Sequence, residues 1–137
     1  MKTILTSIFA LVLVLAIAGP ALAQDWVLAA DIPFNFNVGD SNLPSGKYTV
    51  RIFGGTGTFL VVRSSDNKKA IISLASTADT PRGLKNGKLV FNAYGDQYFL
   101  SSVYWAQGPS RMLPPSNVEL QASKTEGKRK LDVASAK

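Results

Sequence analysis

"LVFNAYGDQYFLSSVYWA" (89–106) decides the fold of this 137-residue chain. It holds six aromatic rings: Phe91, Tyr94, Tyr98, Phe99, Tyr104 and Trp105. Between its halves, Gly95-Asp96 forms a two-residue hairpin connection, with glycine supplying the positive φ that such a turn requires. The resulting register sets Tyr94 opposite Gln97, Ala93 opposite Tyr98, Phe91 opposite Leu100 and Leu89 opposite Ser102. One face then carries Leu89, Phe91, Ala93, Tyr98, Leu100 and Tyr104. The other carries Val90, Asn92, Tyr94, Phe99, Val103 and Trp105. Both are apolar, whereas a hairpin wetted on one side alternates apolar and polar residues. The first face is the expected core, built on Leu89, Phe91, Tyr98 and Leu100. The second is covered by the segment after Pro115, by the strand around Trp26, or by a partner. Tyr94, Phe99 and Trp105 on this second face are the candidate binding residues, because rigid aromatic surface anchors partners. Packing beneath the C-terminal segment is the competing reading.

The period of two extends outward from the hairpin. "IPFNFNV" (32–38) alternates strictly, with Ile32, Phe34, Phe36 and Val38 on one side. Pro33 lacks an amide hydrogen and marks an edge or an irregular start. "KYTVRIF" (47–53) places Tyr48, Val50 and Ile52 inward. "TFLVVR" (58–63) is apolar on both sides, as expected for a strand covered on both faces, and "AIISLA" (70–75) returns. "GDSNLPSG", "GGTG" and "SSDNKK" are turns. Residues 77–88 form the longest irregular connection inside the domain. Ser116 and Glu119 fit a capping box that starts a short helix over 117–123.

The N-terminus reads as a leader. Met1-Lys2 is a positive start, Ile8 to Ala18 is continuously apolar, and Ala21-Leu22-Ala23 is a small-x-small cleavage pattern. Residues 1–23 are thus expected to be a signal peptide, 24–123 a single β-domain, and 124–137 a flexible basic tail. Localisation follows as periplasmic or extracellular. Without Lys2, the formal net charge of +6 becomes +5, and much of it lies in the tail at Lys124, Lys128, Arg129, Lys130 and Lys137. Such a tail can contact anionic envelope surfaces, but the chain lacks the footprint of a specific nucleic-acid binder.

Chemistry is bounded by what is missing. The chain contains no histidine and no cysteine. That removes the usual nucleophilic triads, thiol sites and ordinary zinc sites. Ser65-Asp66-Asn67-Lys68 matches two penicillin-recognising patterns at once, yet those elements must be separate in the chain and the serine must open a helix. Here they overlap in a polar turn. Asp40, Asp66 and Asp96 are turn aspartates that bond their own backbone. Asp25 could meet Asp31 or Asp79 in space, but no spacing demands a catalytic carboxylate pair. No catalytic residue, metal site or cofactor is expected.

"IPFNFNVGDSNLPSGKYTV", "KLVFNAYGDQYFLSSVYWA" and "LPPSNVEL" together resemble a group of short exported proteins from acidobacterial genomes. The shared pattern is F-x-F-x-V, L-P-x-G-x-Y-x-V, Y-G-D-x-Y-F-L and a proline-led C-terminal segment. The likeness covers nearly all of residues 24 to 123. The group has no assigned activity, so the resemblance implies an exported β-domain and no catalytic residues.

The fold expected is all-β: a small antiparallel sandwich or closed barrel of about seven strands with a short C-terminal helix. The function expected is that of a non-catalytic exported domain with a structural or binding role in the envelope. The alternative is a soluble β-barrel holding a small apolar or aromatic ligand. A filled interior with an exposed aromatic patch favours the first, and a large apolar cavity favours the second.

Overall fold

A computed structural model of the protein describes residues 26–54 and 57–136. The expected leader, 1–23, lies outside the described residues. The architecture is all-β, as the periodicity predicts, with one short helix. Four strands form the first sheet in the order β1 (Val27–Ile32), β4 (Gly46–Phe53), β5 (Phe59–Ser64) and β6 (Ala70–Leu74). The second sheet runs β11 (Lys128–Ala134), β8 (Lys88–Tyr94), β9 (Gln97–Tyr104), β10 (Ser110–Met112) and β7 (Ser76–Thr77). The hairpin of β2 (Phe36–Val38) and β3 (Ser41–Leu43) joins β9 through one parallel pair, Asn37 with Phe99.

The alternating residues meet between the sheets. Leu28, Ala30 and Ile32 of β1, Tyr48 and Val50 of β4, and Leu60 and Val62 of β5 face Leu89, Phe91, Leu100 and Val103. Phe36 and Phe91 are fully buried and meet at a ring separation of 5.6 Å, while Phe34 lies edge-on to Phe91 at 5.0 Å. Tyr98, expected in the core, is only partly buried and stacks on Phe34 at 4.2 Å. The 32–38 stretch divides where Pro33 breaks the ladder, so that β1 ends at Ile32 and β2 begins at Phe36.

The central hairpin turns at Gly95, whose φ is 58°. Its register agrees with the sequence from Tyr94–Gln97 back to Phe91–Leu100. There it slips: Val90 pairs with Ser102 and Leu89 with Val103, leaving Ser101 as the extra residue of a β-bulge. An extra residue reverses the face of everything beyond it. Val103 and Trp105, expected on the outer face, therefore lie in the core.

The second correction concerns the C-terminus. Residues 128–134, expected within a flexible basic tail, form β11 and pair along the whole of β8, from Lys128–Tyr94 to Ala134–Lys88. Leu131 and Val133 stand at period two among the charges, opposite Phe91 and Leu89, and Val133 packs against the core. Lys88 Nζ meets Asp132 at 2.9 Å, and Arg129 donates to the Gly95 carbonyl. Past β11, the Ser135 amide donates to the Gly87 carbonyl and the Ala136 amide to the Ala29 carbonyl. That last bond ties the end of the second sheet to the edge of the first.

Candidate binding face

The outer face of the seven-stranded sheet is closed by the chain itself. Helix α1 (Asn117–Ser123) begins where the sequence predicts, with the Glu119 amide donating to Ser116 Oγ at 3.1 Å. The other half of the expected capping box is not made. Glu119 points into the sheet instead, where Oε1 accepts from Asn92 Nδ2 at 2.9 Å and from Tyr94 Oη at 3.1 Å. Its side chain is buried, and among the described residues no lysine or arginine forms an ion pair with it. The Tyr94 phenol is held above its ordinary pKa, first by burial and then by the Glu119 charge and hydrogen bond. A groove of about 730 Å³ runs beside α1, bordered by Met112, Leu113, Pro115, Leu120 and Glu126.

The three residues singled out from the sequence are interior. Tyr94 lies beneath α1, and Phe99 packs edge-on against it at 5.9 Å. Trp105 crosses to the core side because of the bulge, and its Nε1 is buried without a hydrogen-bond partner among the described residues. Near it, Gly108 is required for packing: a Cβ there would stand 2.4 Å from the Trp26 ring. The six-ring hairpin is thus largely core, and exposed aromatic surface lies elsewhere.

It lies on the outer face of the four-stranded sheet. Because Tyr48, Val50, Leu60 and Val62 point inward, Phe53, Phe59, Ile72 and Leu74 point out. The register lines up Phe53, Phe59 and Leu74 in one row across β4, β5 and β6, with Arg51, Val61 and Ile72 in the next row. Ile72 is 63% exposed, Phe53 60% and Leu74 57%. Val61 is buried between its neighbours, but Phe59 is exposed, so the double covering expected for β5 is met only in part. Lys47 and Arg63 point outward from the end of this face away from the β4–β5 turn.

Comparison with protein-family models, curated proteins and solved structures finds no match. Function is therefore read from side chains alone. Among the described residues no group of three or more acidic, histidine or cysteine side chains could hold a metal ion. Asp66, in the overlapping serine-lysine pattern, accepts from Ser64 Oγ at 2.6 Å and from the Lys68 amide at 3.0 Å. These bonds hold its carboxyl below the usual range and serve the β5–β6 turn.

The surface signal was present in the sequence. "KYTVRIF" and "AIISL" both place large apolar residues at outward positions of their own alternation, Phe53 in the first and Ile72 and Leu74 in the second.

Proposed function

We propose that this protein is an exported, non-catalytic β-domain that binds an envelope component through the outer face of its four-stranded sheet. The observation that carries this reading is the contrast between its interior and that face. Phe36, Phe91, Leu60, Leu89 and Val103 fill the space between the sheets, whereas Phe53, Phe59, Ile72 and Leu74 form one exposed apolar field. A contiguous apolar field with a charged border is characteristic of an interaction surface. Arg63 beside it favours a partner that offers apolar surface next to an acidic group, while Lys47 stands opposite the exposed Asp31 of β1. The filled core gives no support to the small-ligand barrel.

The test is co-sedimentation of the protein with envelope fractions from its host. Phe53→Ser should lower association about tenfold, a loss of about 1.4 kcal/mol, and Arg63→Glu should weaken it most at low salt. Both residues are exposed, so circular dichroism should be unchanged. Wild-type association by both variants would refute this face as the binding surface.

A further inference from the structure

We propose that two copies of this chain pair antiparallel through β6, about a two-fold axis at Ile72. This inference does not depend on the envelope partner proposed above; it rests on how the chain treats its strand edges.

An open strand edge is a template for further pairing, and proteins protect such edges by charge, shortness, proline or cover. Most of the edges here carry such a device. β11 bears Lys128, Arg129 and Lys130. β7 is two residues long, and β3 is three residues long and followed by Pro44. The edge at β1 is met by the Ala136 amide at Ala29. β6 has none of these. It is the uncharged run Ala70-Ile71-Ile72-Ser73-Leu74, it contains no proline, and among the described residues its ladder is with β5 alone.

The orientation of its backbone follows from the bonds at either end. The Ser64 amide donates to the Lys69 carbonyl, and the Ala75 amide donates to the Thr58 carbonyl. Hydrogen-bonded pairs alternate along an antiparallel ladder, so residues 69, 71, 73 and 75 turn their peptide groups toward β5. Ala70, Ile72 and Leu74 turn theirs outward. Ser73 Oγ reaches the Leu74 carbonyl at 3.2 Å, which leaves that oxygen a second lone pair.

A two-fold axis at Ile72 sets each Ile72 opposite its copy and each Ala70 opposite the copy of Leu74. Every outward N–H and C=O of these three residues then finds a partner in both chains. No like charges meet, because Lys69 falls opposite Ala75 and Lys68 opposite Ser76 of the other copy. The exposed Ile72 side chains become neighbours, with Cα atoms about 5.5 Å apart. Two four-stranded sheets join into one of eight, which presents both apolar fields on the same side. A second copy fits because an identical strand matches this spacing without overhang and brings no charge to the seam.

The experiment is sedimentation equilibrium on the protein expressed from its full coding sequence. The wild type should have twice the mass of one chain. Ile72→Lys, which sets two ammonium groups against each other at the axis, should halve that mass while the circular dichroism of the folded chain stays unchanged. Since the chain has no cysteine, Ile72→Cys should form an intermolecular disulfide on mild oxidation, the Cα spacing being within disulfide range. Val118→Cys on the exposed face of α1 should not. A monomeric wild type, a dimer that survives Ile72→Lys, or equal cross-linking of the two cysteine variants would overturn the proposal. A monomeric wild type that still bound envelope fractions through Phe53 would sink only the pairing.

Discussion

Glu119 offers the sharpest test of what holds the second sheet closed. Its Oε1 accepts from both Asn92 Nδ2 and Tyr94 Oη, and Tyr94 is buried. Glu119→Ala leaves both donors without that acceptor. A buried donor without its partner costs about 1–3 kcal/mol, so two would cost about 2–6. Two effects reduce this: a carboxylate with no ion-pair partner among the described residues is lost, which relieves desolvation, and the adjoining groove admits water. The expected net loss is about 2–4 kcal/mol. Glu119→Gln keeps an acceptor oxygen and removes the charge, so it should cost about 1 kcal/mol or less. Urea titration followed by tryptophan fluorescence measures both, with Val118→Ala on the exposed side of the helix as reference. If Glu119→Ala matches that reference, the buried bonds do not fasten the helix. If Glu119→Gln is as damaging as Glu119→Ala, the charge rather than the hydrogen bonding matters.

Phe91→Ala should cost about 3–5 kcal/mol, because Phe91 is fully buried and touches both Phe34 and Phe36; a loss below that of an exposed substitution would contradict the core assignment. Ending the chain at Gly127 removes β11, strips Val133 from the core and opens the β8 edge. It should cost about 2–4 kcal/mol and promote aggregation in light scattering, whereas unchanged stability would restore the flexible tail. Tyr94 is the pH-sensitive group. Its folded pKa is raised above 10.0 by burial, then by the Glu119 charge and hydrogen bond. The stability linked to its proton is therefore present below about pH 10 and lost as pH rises through the folded value. Tyr94→Phe should make the alkaline fall in stability shallower, with the remainder carried by Tyr48, which burial and Asp66 also raise. Parallel alkaline slopes for the two proteins would refute the coupling.

Much of this architecture is legible in the sequence because period two states which residues face one another. Tyr48, Val50, Leu89, Phe91 and Leu100 all lie in the core where alternation puts them. The misreadings have two local causes. At Ser101 the backbone inserts one residue, and no side-chain preference in "LSSVYW" announces it; two adjacent serines tolerate either face. From that point the faces are exchanged, which takes Trp105 from the second face of the hairpin to the core side. In "KRKLDVA" the charges conceal an edge strand. Leu131 and Val133 alternate with Lys130 and Asp132, but an exposed edge needs only one apolar side, and a lysine-rich edge is also what protects a sheet from further pairing. Composition pointed to a tail, while periodicity recorded a strand.

The same two features explain why the exposed apolar surface is on the other sheet. With β11 on one edge and α1 over Tyr94, the chain covers the second sheet with its own C-terminal residues. None of the described elements does this for the first sheet. Its outward residues nevertheless include Phe53, Phe59, Ile72 and Leu74 in two adjoining rows, where a sheet facing only water would carry polar side chains. Arg63 and Lys47 on the same face show that polar residues are accommodated there, so the apolar rows do not result from the strand geometry. The proposed binding rests on this uncovered apolar field, and the proposed pairing on the strand edge beside it. The variants Phe53→Ser and Ile72→Lys address the field and the edge separately, and they should separate binding of a partner from pairing of the chain with itself.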